Sequence, residues 1–203
     1  MKALLRNFLV NQFLPEDLIS FLQVTDNYLT KRCDLIIIGG AAASLAYGVT
    51  RTTSDIDSIS QIPDHLANAL DLANAKTGFS IPVSYVGVFE PPYNYEVRLS
   101  PFENPTLTKL QLFVPEKHDL ALMKIVRGYE NDIQVIEEIH QNLPLEFDIL
   151  IGRFMDEMTQ AIGDPRNIRL NFLVMIEVLF GDEQAQEAAK ISEKWGPFFS
   201  IRK

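Results

Sequence analysis

The sequence predicts an α+β fold: a small mixed sheet with flanking helices, followed by a helical C-terminal part. Three observations predict it. Short β-branched or alternating runs recur between residues 34 and 114. Segments with apolar residues at helical spacing interleave with them. Beyond Pro115 the strand signal stops and the pattern is helical to the end, as in folds that segregate helices from a sheet. Two units follow, residues 1–143 and 144–203, with Pro144 as the seam.

The elements read in order as follows. Leu14-Pro15-Glu16-Asp17 opens a helix, because proline suits the first turn and acids suit the positive end of the dipole. Leu18, Phe21, Leu22 and Tyr28 continue it near helical spacing. Asp34-Leu35-Ile36-Ile37-Ile38 is a buried strand ended by Gly39-Gly40. Ala41 to Tyr47 is a helix closed by Gly48. Residues 54–59 alternate polar and apolar, which predicts a half-buried strand. Pro63 to Lys76 is helical, with Leu66, Leu70 and Ala73 on one face and Gly78 beyond its end. Strands are expected over 83–88, 95–99 and 107–114, with a turn at Pro91-Pro92-Tyr93-Asn94. Helices are expected over 116–127, 131–142, 146–162, 166–179 and 183–194. The stripe Phe147, Leu150, Ile151, Phe154 and the stripe Leu170, Leu173, Val174, Leu179 are expected to face a core or a bundle. Trp195, Phe198 and Phe199 read as a latch onto the body or as an oligomer patch.

Composition narrows the function. The 203 residues carry a net charge of −9 and one cysteine. A lone Cys33 forms neither an internal disulfide nor a cysteine zinc site, and such usage fits a cytoplasmic chain. The uncharged run from Leu35 to Thr50 is too short for a membrane helix and contains three glycines, so no membrane role is expected. The N-terminus begins like a signal peptide, but Arg6, Asn7, Asn11 and Gln12 interrupt the apolar stretch, and it is read as mature protein. Residues 1–53 sum to +1, residues 54–140 to −7 and residues 141–203 to −3. No basic stripe of the kind that grips nucleic acid by counterion release is visible. The acid-rich middle serves either solubility or the holding of cations.

The informative stretch is residues 35–57, LIIIGGAAASLAYGVTRTTSDID. A strand ends in Gly39 and Gly40, so backbone approaches a ligand without Cβ obstruction. A helix starts there, and its free N–H groups favour a phosphate. The next strand carries Asp55 and Asp57 at i and i+2, on one face and roughly 6.6 Å apart. Two hard oxygen anions so placed share one or two Mg²⁺ ions, which in turn hold nucleotide phosphates. Arg51 is near enough to neutralise a phosphate. Singly, each part is weak, and a D-x-D on a strand is more often a solvent-facing acid pair. The order of the parts is what is specific. Neither a dinucleotide fingerprint nor a Walker loop is present.

In that order the stretch resembles the minimal nucleotidyltransferase superfamily, the fold of DNA polymerase β and kanamycin nucleotidyltransferase. Gly39, Gly40, Asp55 and Asp57 carry the match, with Arg51-Thr52-Thr53-Ser54 leading into the acids. Pro115 to Arg127, with Asp132 beyond, is similar to the later helical motif of the abortive-infection (AbiEii-like) toxins, and Pro92 to Leu99 resembles an uncharacterised bacterial branch of that group. The resemblance covers about residues 30–142. It implies transfer of a nucleoside monophosphate from a nucleoside triphosphate to an acceptor hydroxyl on tRNA, a protein or a small molecule, with Mg²⁺ or Mn²⁺ as cofactor. The alternative is a non-catalytic nucleotide- or partner-binding member of a toxin–antitoxin-like system. A homodimer or a cognate partner protein is compatible with either.

The family's third carboxylate lies on a neighbouring strand, and Glu96 is the candidate, ahead of Glu90. Asp55, Asp57 and Glu96 are thus the expected catalytic and metal-holding acids, and Gly39, Gly40, Arg51, Ser54 and Lys124 the nucleotide-binding residues. A surface acid or a partner for Arg98 is the competing reading of Glu96. Lys124 and Arg127 share a helix face, and the resemblance aims Lys124 at the phosphates. Val135 stands where the toxin branch carries a further acid, so Asp132 is either catalytic or a helix cap. His118 is expected to be structural, Cys33 buried, and Ser44 and Ser54 no serine nucleophiles.

Overall fold

A computed structural model describes residues 12–87 and 89–196. The chain is α+β. Five strands form one mixed sheet in the order β3-β2-β1-β5-β4. They are β1 (Cys33–Ile38), β2 (Ile56–Ser58), β3 (Val83–Tyr85), β4 (Ser100–Pro101) and β5 (Leu110–Val114). β1 runs parallel to β5 and antiparallel to β2, and β2 runs parallel to β3. β4 closes the far edge antiparallel to β5. The helices are α1 (Pro15–Tyr28), α2 (Gly39–Tyr47), α3 (Asp64–Thr77), α4 (Lys117–Arg127), α5 (Glu130–Asn142), α6 (Phe147–Glu157), α7 (Pro165–Phe180) and α8 (Asp182–Ile191).

The central β1 is buried because it is apolar on both faces: Leu35 and Ile37 are fully covered and Ile38 nearly so. α2 packs on β1 and β2, and its run Ala41, Ala42, Ala43 lets helix and sheet approach closely. α1 lies against α2 and α3 with Leu18, Phe21 and Leu22 buried. α3 buries Leu66, Leu70 and Ala73, the face its spacing predicts. The expected division at residue 144 falls in the loop between α5 and α6, and one hydrophobic cluster runs across it from Leu35 to Phe172 and Ile176.

Several elements differ from the sequence reading, each for a reason outside the local pattern. The expected strand 95–99 is a 3₁₀ turn, Tyr95–Arg98. Here Arg98 reaches inward to Asp119, donating from Nε at 2.8 Å and Nη2 at 3.0 Å, and also bonds Glu157. Burying that guanidinium decides the backbone path, and Val97 is left exposed. The same contacts shorten the helix expected to reach 162. The Glu157 carbonyl accepts from Tyr93 N–H, and α6 stops there. The strand expected from 107 begins at Leu110, because the N–H groups of Thr108, Lys109 and Leu110 all donate to the Asp26 carboxylate. The strand expected over 83–88 ends at Tyr85, and Val88 lies outside the described residues.

α6 buries Leu150, Ile151 and Phe154 as expected, whereas α7 is turned. Its covered face is Ile168, Phe172, Met175 and Ile176, and Leu170 and Val174 face outward. The rotation follows from Phe172 stacking flat on Phe154, with centroids 3.9 Å apart. Trp195 stacks on the same Phe154 at 4.3 Å and is buried, which makes it a latch. Phe198 and Phe199, and the N-terminal residues 1–11, lie outside the described residues. No described helix is long and apolar enough to cross a membrane.

Candidate functional site

The turn from β1 into α2 sets the site. Gly39 takes the left-handed conformation, φ +69°, which any side chain would strain, and a Cβ there would sit 3.5 Å from Asp57 Oδ2. At Gly40 a Cβ would meet Thr53 Oγ1 at 2.9 Å, closer than real Cβ contacts allow. The two glycines therefore let β2 and the loop before it lie directly on the start of α2. The first N–H groups of a helix have no intrahelical partner. No side chain caps those of α2, so they remain available to an anion.

The loop from Gly48 to Ser54 is held from α5. Asn142 Nδ2 donates to the carbonyls of Tyr47 and Gly48, and Glu138 accepts from the N–H and hydroxyl of Thr50. Arg51 donates to Gln134 at 2.5 Å and to Asn131 at 3.3 Å. Thr53 makes a two-way backbone bridge with Phe13, and its hydroxyl lies 3.4 Å from Asp55 Oδ1. This scaffold delivers Asp55 to the start of β2, where Ile56 and Ser58 turn into the core and Asp57 turns the other way.

A cavity of about 680 Å³ lies over this junction. It falls within the usual range for small-molecule sites. Gly39, Gly40, Arg51, Ser54, Asp55, Asp57 and Lys124 all line it, so seven of the eight residues expected from sequence converge. Glu96, the eighth, does not line it. It sits in the exposed 3₁₀ turn, where it accepts from the Tyr95 hydroxyl at 3.4 Å. The inward pull on Arg98 that replaced the expected strand also took Glu96 away from β2.

Across the cavity stand α4 and α5. Lys124 Nζ donates to Asp132 Oδ1 at 3.0 Å, and Arg127 Nη2 donates to the same oxygen at 2.9 Å. Both bases therefore share a face, as their spacing predicts. Asp132 is no helix cap: α5 begins at Glu130 with Tyr129 as its cap. Its second oxygen, Oδ2, is buried without a hydrogen-bond partner among the described residues. Burial pushes the Lys124 ammonium below its ordinary value, against the pull of Asp132. Sequence reasoning left Asp132 undecided because Val135 stands where a further acid was expected, and both residues line the same cavity.

Asp57 sits in a setting that disfavours its charged form. Burial, and then the charge of Asp55, push its carboxyl above the usual range, and Arg127 and Lys124 only partly offset this. No ion pair among the described residues involves Asp55 or Asp57. No group of three or more His, Cys, Asp or Glu suited to a metal occurs among the described residues. Two carboxylates that line one cavity with no ion-pair partner among the described residues fit a Mg²⁺ or Mn²⁺ ion of the kind that uses one or two protein acids and completes its shell with water and substrate phosphate.

The rest of the 115–127 block is structural. Glu116 caps α4 and accepts from His118 Nδ1 at 2.8 Å, while His118 Nε2 accepts from Glu146 N–H. Fully buried Asp119 binds both Arg98 and Arg153. Buried Cys33 has its thiol pushed up by burial, and the Ser44 hydroxyl donates to the Arg51 carbonyl.

A family model described as "Nucleotidyltransferase of unknown function (DUF6036)" covers residues 16–178. No curated protein and no solved structure matches the chain.

Proposed function

The chain belongs to the nucleotidyltransferase family whose model it matches, and from that premise we propose that it transfers a nucleoside monophosphate from a nucleoside triphosphate to an acceptor hydroxyl, with Mg²⁺ or Mn²⁺ as cofactor. The observation that carries this reading is the convergence of Gly39, Gly40, Asp55, Asp57 and Lys124 on one cavity. The uncapped start of α2 receives phosphate oxygens on backbone N–H groups. Lys124 and Arg127 face those phosphates from the opposite wall and are held there by Asp132. Arg51, braced by Gln134 and Asn131, adds a third positive group, and Ser54 a hydroxyl. Such fixed charges act where negative charge develops on a transferring phosphoryl group. Asp55 and Asp57 would hold the metal, which when bound neutralises phosphate charge and helps the acceptor ionise.

Calorimetry tests this. Titration with a Mg²⁺–nucleoside triphosphate should show binding, and Asp57→Ala should lose it. Unchanged binding by Asp57→Ala would move the site elsewhere. The placement of Glu96 in an exposed turn off the cavity, with no three-acid metal group among the described residues, favours one second reading: a relative that holds nucleotide, or a partner in a toxin–antitoxin-like system, without transfer. The similarity of the Pro115–Arg127 block to abortive-infection toxins supports that setting. Nucleotide binding without pyrophosphate release would select it.

A further inference from the structure

A second cavity, of about 140 Å³, adjoins the first and shares Gly39, Asp57, Lys124 and Arg127 with it. Its character is different. Ile38, Val86, Phe89, Leu120, Met123 and Val126 form the walls, and Glu90 is the one carboxylate it does not share. Val86 N–H is bonded to the Ser58 carbonyl at 2.7 Å, extending β3. The Phe89 ring stands edge-on to Tyr95, with centroids 5.7 Å apart. Leu120 is fully buried. Glu90 is held through Oε2 by the Ile162 N–H at 3.1 Å, and burial pushes its carboxyl above the usual range.

We infer that this second cavity is the acceptor site, and that the acceptor hydroxyl is carried on a compact apolar body, one aromatic ring or a short aliphatic chain. The inference rests on the function proposed above. In-line displacement brings the acceptor to the phosphorus from the side opposite the departing pyrophosphate. The two cavities meet at the phosphate-facing residues, so a nucleotide in the large polar one presents its phosphates to the small apolar one. The size is that of a cavity of about 150 Å³ that takes up benzene. A sugar or nucleotide acceptor would set unpaired hydroxyls against the apolar walls. In the step, the acceptor oxygen forms a bond to the α-phosphorus. The bond from that phosphorus to the bridging oxygen breaks, pyrophosphate leaves with the electron pair, and the hydroxyl proton passes to the Glu90 carboxylate.

The test uses the full chain with Mg²⁺ and a non-hydrolysable nucleoside triphosphate. Phenol and 1-butanol are the apolar probes, ribose and glycerol the polar ones, and N-acetyltyrosinamide presents the phenol ring as a side chain. Saturation-transfer NMR should show phenol and butanol bound and ribose and glycerol unbound, and the signal of N-acetyltyrosinamide against phenol separates a side-chain source from a free molecule. Val86→Trp, which fills the cavity, should weaken phenol binding about tenfold or more and leave nucleotide affinity within about twofold. Phe89→Ala, which enlarges it, should shift preference from phenol to 2-naphthol. With hydrolysable nucleotide, Glu90→Gln should cut kcat about 100-fold and hold the phenol KM within about threefold. Phenol binding that ignores both cavity variants, or ribose binding as well as phenol, overturns the assignment. So does a nucleotide affinity that falls more than about fivefold in Val86→Trp, which would place the base there. If the wild type binds nucleotide and these results appear, only the acceptor assignment fails; if it binds no nucleotide, both readings fall.

Discussion

Replacing Asp57 with asparagine should raise the stability of the free protein while removing its function. Asp57 is half-buried, has no ion pair among the described residues, and shares a strand face with Asp55. At about 6.6 Å and an effective dielectric of about 20, the repulsion between two carboxylates is about 2.5 kcal/mol. Water reaches both groups, and Lys124 and Arg127 offset part of the charge, so about 0.5–1 kcal/mol survives. For a chain of this size that is a rise in Tm of about 1–4 °C at neutral pH. The sign follows from linkage. A carboxyl raised in the folded state binds more protons there than in the unfolded chain, so stability falls as pH rises through the interval between the two values. The variant's advantage should therefore be present above that interval and vanish below the ordinary carboxylate range. Differential scanning calorimetry with and without Mg²⁺ plus a non-hydrolysable nucleotide measures both halves. The wild type should gain stability from the additions by mass action, and Asp57→Asn should not. A variant that melts several degrees below the wild type would make Asp57 a structural partner, and one that gains equally from the additions would show that Asp57 does not hold the metal–nucleotide.

Three further outcomes follow from the same structure. Asp119→Asn should lose about 3–5 kcal/mol, because Arg98 and Arg153 both depend on this fully buried carboxylate; urea unfolding at an unchanged m-value measures it, and a loss under about 1 kcal/mol would contradict it. Lys124→Met should leave the fold intact, since Arg127 still holds Asp132, yet lower kcat about 10²–10³-fold; steady-state pyrophosphate release measures it. Asp26 and Glu116 should both contribute to the loss of stability in acid. Burial alone would raise both, but three backbone N–H bonds and the Thr108 hydroxyl hold Asp26 below its usual value, and His118 and Arg153 bring Glu116 to about 2. Stability from such depressed groups is full above the ordinary carboxylate range and is lost as pH falls through the folded values; Asp26→Asn should flatten that part of the profile.

What was legible in the sequence is what short-range physics decides. β1, α2 and the D-x-D run are each specified by residues within a few positions, and the resemblance of their order to the nucleotidyltransferase superfamily is what joined Gly39, Gly40, Asp55 and Asp57 in one expected site. Elements set by distant partners could not be read. Nothing near Arg98 says that Asp119 and Glu157 will draw it inward, so the strand expected there became a turn and Glu96 left the site. Asp26 is an ordinary helix acid in sequence, and only the fold brings three successive N–H groups of the 108–110 segment onto it. The orientation of α7 depends on one stacked pair, Phe154 and Phe172, from separate helices. Asp132 belongs to the same class, since its role depends on Lys124 one helix earlier.

The charge of −9 is likewise sharper in structure than in composition. Arg51, Lys124 and Arg127 are gathered at the cavity from a chain that shows no basic stripe, while Asp55 and Asp57 stay without an ion pair among the described residues. That juxtaposition suits the phosphates of a small molecule with its accompanying cation.

Label transfer follows the α-phosphorus of the nucleotide itself. The protein is incubated with Mg²⁺, a cell extract as acceptor source, and each nucleoside triphosphate labelled at either the α- or the γ-phosphate. If the protein transfers a nucleoside monophosphate, α-label becomes attached to an acceptor, γ-label leaves as pyrophosphate, and Asp57→Asn does neither. Attachment of γ-label, or equal α-label transfer by Asp57→Asn, would contradict it.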